Sequence, residues 1–199
     1  QLLIALPFGS GQSYAFRHAL IQEVVYDTLL KRDRQKIHEQ AAVAIDQGAF
    51  WLPHEKTEAL AHHYAESADP TRAIPYLIEA AENASRRCAN ETAVHHYRQA
   101  LALVRERFTS PNDHSLRVEL GMGQALKFVG QFSEASQMLD KALQYLLSLS
   151  TQVKSVTLLP ILIYSLKELA DIRIREGTLD TAIDHLHAGL DAVGEEGCK

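Results

Sequence analysis

Apolar side chains recur at helical spacing through most of this chain. From about residue 56 onward they fall at i, i+3, i+4 and i+7, and no convincing alternating stretch interrupts them. The pattern predicts helices near 56–67, 71–87, 91–107, 114–129, 133–148, 153–176 and 179–193. Their ends are marked by helix breakers: SADPT at 67–71, CAN at 88–90, TSPNDHS at 109–115, Gly130, the polar stretch near 150, and Gly177. The opening differs. LIALPFGSGQSYAFRH reads as a helix end followed by a hairpin with a GSG turn, and then a helix from about Ala19.

The predicted loops alternate between tight and loose, as stacked helical hairpins require when each pair closes sharply and joins the next more freely. Superposing 120–143 on 167–190 by their turn glycines matches Gly130 with Gly177, Phe132 with Leu179, Ala135 with Ala182, Leu139 with Leu186 and Leu143 with Leu190. The segment ETAVHHYRQAL fits the second half of this unit through Ala93, Tyr97, Ala100 and Leu101. Small residues (Gly123, Ala135, Ala142) stand where helices would cross, and large ones (Met122, Leu126, Phe132, Leu139) stand between them. This pattern resembles the tetratricopeptide repeat, which implies an all-α fold of helical hairpins stacked as an α-solenoid. Ala93, Ala135 and Ala182 lie 42 and 47 residues apart, longer than the usual period of that repeat, so longer helices and linkers are expected. EALAHHYAESADPTRAIPYLIEAA fits a further repeat, with Leu60, Ala61 and Tyr64 in its first helix and Ala73, Leu77 and Ala80 in its second. The helix at 71–87 then serves in two overlapping frames.

With 199 residues and 46% hydrophobic content, the chain can bury a substantial core as one extended domain or two compact ones. A net charge of -5 argues against nucleic-acid binding through bulk electrostatics, although a local basic patch stays open. Cys88 and Cys198 form no CxxC, so neither a structural zinc site nor a disulfide framework is signalled, and a reducing, cytoplasmic setting is expected. The apolar run SVTLLPILIYSL is too short for a bilayer span and contains Pro160, so no membrane span is expected. QLLIALPFG lacks the basic start of a signal peptide and an initiating Met, and reads as the beginning of a piece of something longer.

Candidate chemistry centres first on histidine. HHY occurs twice, as His62-His63-Tyr64 and His95-His96-Tyr97, but HExxH is absent and adjacent helical residues point about 100° apart, so solvated or packing roles are expected and no metal site. In the repeat frames Tyr64 falls on a first helix and Tyr97 on a second. No GxxxxGK cradle or GxSxG elbow occurs, GMG at 121–123 lies inside a helix, and no catalytic residue or cofactor is assigned. Lys31, Arg32, Arg34 and Lys36 make a basic helix that reads as a solvated face or as a phosphate or partner contact.

If the hairpins stack as in that repeat family, first helices line a groove. Its expected residues are Glu82 and Arg86, then Arg117, Gln124 and Lys127, then Tyr164, Lys167, Asp171 and Arg175, a mixture that leans basic and suits an acidic protein or peptide partner. A surface with no ligand is the plain alternative.

The run from YAFRHALIQEVVYDTLLKRDRQKIHEQAAVAI through LAHHYAESADPTRAIPYLIEAAENA resembles the junction between the ATPase module and the helical repeats of bacterial signal-transducing (STAND-type) ATPases. These include proteins carrying class III adenylate or guanylate cyclase domains and proteins similar to maltose-regulator-type transcription activators. The resemblance covers about residues 12–107 and implies a partial winged helix with a linking helix over 1–50, then repeats over 51–199. It also implies that His18 senses ADP held by an upstream module, although Ala19 stands where that class has Asp. A helix-start histidine can equally serve only to structure the wing. The expected role is non-catalytic: a docking and regulatory region coupling partner binding to nucleotide state. An assembly scaffold is the runner-up, and a histidine-cluster metalloenzyme the outside alternative.

Overall fold

The computed structural model describes residues 3–8, 11–48, 53–150 and 159–178, together with 180, 181, 183, 184 and 187. It begins with an antiparallel hairpin, β1 (Leu3–Phe8) and β2 (Gly11–Phe16), registered from Leu3 opposite Phe16 to Phe8 opposite Gly11. The opening apolar run is therefore a strand rather than a helix end. A run this short carries no period long enough to separate the two.

Among the described residues these helices follow: α1 (Ala19–Thr28), α2 (Lys31–Gln47), α3 (Pro53–Ala65), α4 (Ile74–Arg86), α5 (Asn90–Arg107), α6 (Asp113–Val129), α7 (Phe132–Ser150) and α8 (Leu159–Arg175). Leu29 and Leu30 are both extended and divide α1 from α2, a break with no Gly or Pro to announce it. Pro70–Ala73 forms a 3₁₀ turn ahead of α4, and its first amide is capped by the Asp69 carboxylate (Thr71 N to Oδ1, 3.2 Å). Asn112 caps α6 reciprocally: its Oδ1 accepts from His114 N and Ser115 N, while the Ser115 hydroxyl accepts from Asn112 N at 2.7 Å. Pro160 stands in the first turn of α8, where a missing N–H costs nothing, so it does not interrupt that helix. Of the helix expected at 179–193, residues 180, 181, 183, 184 and 187 are described and are helical, and the rest lies outside the described residues.

Each helix from α2 onward packs against the next, and α4 also touches α6 as α6 touches α8. That is the geometry of stacked hairpins, so the chain is an α-solenoid of tetratricopeptide-like pairs behind a β-hairpin. α4/α5 and α6/α7 form pairs, and α3 packs on both α2 and α4, so α4 takes part in both of the overlapping frames drawn from sequence.

One mechanism ends the three first helices α4, α6 and α8. Cys88, Gly130 and Gly177 adopt φ of 59°, 85° and 77°. In each case the next amide donates five residues back: Ala89 to Ala84 O, Gln131 to Leu126 O and Thr178 to Arg173 O, all at 2.9 Å. The core runs without a break from Ala42 on α2 to Ile172 on α8, with Leu77, Ile78, Met122, Leu126, Leu139, Leu146, Leu169 and Ile172 fully buried. It therefore crosses residue 50. No described helix is long and apolar enough to cross a membrane.

Candidate interaction face

Contacts between alternate helices put α4, α6 and α8 on one face, and ion pairs stitch it. Arg117 on α6 donates to Glu82 on α4 at 2.6 Å. Lys127, farther along α6, donates to Glu168 and, at 3.1 Å, to Asp171 on α8. Arg175 reaches Asp171 from the next turn at 3.5 Å. Residues expected along one groove are thus brought together across three helices.

Their charge differs from the expectation. The Lys127 side chain is 13% exposed and that of Glu168 9%, so this pair sits within the packing. Burial alone would push the Lys127 pKa down, but hydrogen bonds and charge from Glu168 and Asp171 outweigh it and raise it. Hydrogen bonding to Lys127 in turn lowers the Asp171 carboxyl. Lys127 and Arg117 are therefore ties between helices, and the basic lean narrows to the exposed Arg86, Lys167 and Arg175. Of these, Arg86 donates to Asn83 Oδ1 at 2.6 Å within its own helix. Tyr164 is 37% exposed, its phenol pKa raised by burial and then by Glu168. Gln124 is half-buried between them.

The other sequence candidates separate by environment. His18 is exposed at the N-cap of α1, and its carbonyl accepts from Ile21 N and Gln22 N; its side chain makes no cap bond. Lys31, Arg32 and Lys36 are exposed, whereas Arg34 lies 5.1 Å over the Tyr26 ring and 3.8 Å from Asp27. His95 is exposed. His96 is half-buried, and its Nδ1 has no hydrogen-bond partner among the described residues.

His62 and His63 are joined by a third imidazole that local spacing did not reveal. His38 on α2 is 7% exposed, its Nδ1 is 2.9 Å from His63 Nδ1, and its Nε2 is 2.8 Å from the Tyr26 hydroxyl. His38 is the candidate that sequence reasoning passed over, although it stands two residues beyond Lys36 on the same helix. Only the packing of α2 on α3 makes it a neighbour.

No protein-family model matches the chain. An uncharacterized protein of Rhizobium meliloti (strain 1021) is 32% identical over 109 residues, which is 53% of this chain and 10% of that protein. The chain thus spans about a tenth of the relative's length. Among solved structures, the TPR-like repeats of a Podosopora anserina kinesin light chain superpose with a TM-score of 0.48 at 16% identity, covering 90% of this chain and 94% of that one. MamA (AMB-1) superposes with a TM-score of 0.35 at 19% identity, with the same shares covered.

Proposed function

We propose that this chain is a non-catalytic protein-interaction region of a multidomain bacterial signalling ATPase, coupling a partner on the α4/α6/α8 face to an upstream nucleotide module. The observation that carries the interaction role is the continuous face itself, where Arg86, Tyr164, Lys167 and Arg175 stand exposed around a framework fixed by buried and interhelical ion pairs. An acidic partner segment suits these exposed cations, with Arg175 trading its exposed 3.5 Å pairing with Asp171 for one across the interface. Two observations support the coupling role. The junction-like run over 12–107 resembles that of STAND-type ATPases, and α1 leaves Leu20, Val24 and Val25 74%, 63% and 40% exposed, an apolar face suited to packing on a neighbouring module. His18, at the exposed start of α1, would offer that module's bound nucleotide an imidazole beside free helix amides.

The test is direct. Fluorescent acidic and basic peptides of matched length are titrated onto the chain at low and high salt. Preference for the acidic set, lost in Arg86→Glu/Lys167→Glu, is expected; equal or reversed preference overturns the partner assignment. In the parent, a P-loop ahead of this region and altered ADP retention in His18→Ala are expected. A parent without a P-loop leaves the assembly scaffold as the reading.

A further inference from the structure

The histidines at the α2/α3 contact form a group whose geometry exceeds packing. The side-chain nitrogens of His38, His62 and His63 that could bind an ion all lie within 4.8 Å of one another. The rings converge from two helices, with centroids 5.1 Å apart for His38 and His63, 5.5 Å for His38 and His62, and 5.2 Å for His62 and His63. Adjacent positions on α3 were expected to diverge. Opposite a third ring on α2, they instead bracket a common point.

The hydrogen-bond pattern indicates what that point holds. Tyr26 Oη can accept from His38 Nε2–H, which leaves a lone pair on His38 Nδ1 directed at His63 Nδ1. One proton between the two Nδ1 atoms at 2.9 Å pairs a donor with an acceptor and satisfies both, but it leaves His62 outside the bond. A cation at the centre satisfies all three. Two imidazole nitrogens on a tetrahedral metal ion stand about 3.4 Å apart for bonds of roughly 2.0–2.1 Å, within the span these atoms already cover. A hydrogen-bond acceptor on the ring nitrogen away from the metal is the usual means of fixing a ligand's tautomer and orientation, and the Tyr26 hydroxyl takes that place for His38.

We propose that His38, His62 and His63 bind a divalent transition-metal ion, zinc by its preference for imidazole, with water in the fourth position, and that the ion clips α2 to α3. Glu66 is close enough for its charge to act on His38, which favours a bound cation. His62 is exposed, which opens the group to solvent on that side, and Tyr26 and Glu66 also line an open cleft of about 410 Å³ with Arg34, Gln35 and Pro70. His95 and His96 provide an internal control, since no third donor joins them among the described residues.

The experiment uses the tag-free chain, stripped with chelator and titrated calorimetrically with zinc chloride, with cobalt(II) absorption as a second readout. One equivalent is expected to bind, to raise Tm, and to give visible cobalt bands typical of tetrahedral nitrogen ligation. Affinity should fall by more than tenfold in His63→Ala and in His62→Ala, by roughly 10–100-fold in Tyr26→Phe, and not at all in His95→Ala/His96→Ala. Should His38→Ala fail to fold, the exposed His62→Ala decides the matter. Absence of binding, binding unchanged in His62→Ala and His63→Ala, or loss on removing His95 and His96 overturns the proposal.

Discussion

Tyr97 of α5 lies against Gly121 of α6 so closely that a Cβ on the glycine would stand 2.2 Å from the tyrosine hydroxyl oxygen and 2.4 Å from its Cζ. Burial pushes the Tyr97 phenol pKa up to about 12, and its hydroxyl is also hydrogen-bonded to the Ser85 side chain, so the ring has little freedom to withdraw. Two residues on, Gly123 faces α7, where an added Cβ would meet Leu139 Cγ at 2.7 Å. The GMG run inside α6 is thus the point where both neighbouring helices close in.

Gly121→Ala should therefore destabilise the protein despite the roughly 1 kcal/mol that alanine gains over glycine as a helix former. Overpacking costs about 1–3 kcal/mol in well-filled cores, and the contact here is with a fixed aromatic ring, so a net loss near 2 kcal/mol is expected. A urea midpoint lowered at constant m-value is the readout; a raised midpoint would show that Tyr97 moves aside.

The turns closing α4 and α6 predict effects of opposite sign. Cys88 occupies the left-handed position that Gly130 fills one pair later, and a side chain there costs roughly 1–2 kcal/mol. Cys88→Gly should stabilise by about 0.5–1 kcal/mol after allowing for glycine's larger unfolded-state entropy. Gly130→Ala should cost about 1 kcal/mol through backbone strain alone. No atom lies within 4 Å of the added methyl. Thermal unfolding of the two variants checks both signs.

Removing Lys127 leaves Glu168 buried and unpaired. Lys127→Met should cost about 3 kcal/mol, whereas replacing both partners by apolar residues should cost far less. Chemical denaturation of the single and double variants measures the difference. Because the Lys127 pKa is raised, its share of stability is complete below the ordinary value of 10.5 and is lost only as pH climbs beyond it.

Acid should weaken the fold through His96. Burial is the largest cause and lowers its pKa, with His95 adding to the shift and Gln99 and Glu58 opposing it. The folded state therefore resists protonation. Its contribution is present above the ordinary value of 6.5 and is lost as pH falls below it, because the unfolded chain then binds the proton first. Urea unfolding at about pH 7.5 and pH 5.5 should show a smaller acid loss in His96→Gln than in the parent chain.

Much of the array was legible because its punctuation is local. Gly130 and Gly177 mark their own turns, whereas the equivalent turn at Cys88 was visible only as a break, since a non-glycine residue in the left-handed region carries no sequence signature. The Leu29–Leu30 break was hidden for a similar reason: leucine is a good helix former, yet both residues are extended. Ion pairs join some of the residues expected along the groove across helices, Arg117 to Glu82 and Lys127 to Asp171. The hydrophobic period assigns Glu168 no partner, and only the α6/α8 contact joins it to Lys127. His38 likewise needed a contact across 25 residues to meet His63.

The ties across the α4/α6/α8 face also set how the array can bend. Arg117 and Glu82 are about half and two-fifths exposed, so dissolved ions screen their attraction, whereas the enclosed Lys127–Glu168 pair is shielded from them. Rising ionic strength should therefore weaken the tie between α4 and α6 and spare the one between α6 and α8, so that salt reaches the two halves of the face unequally.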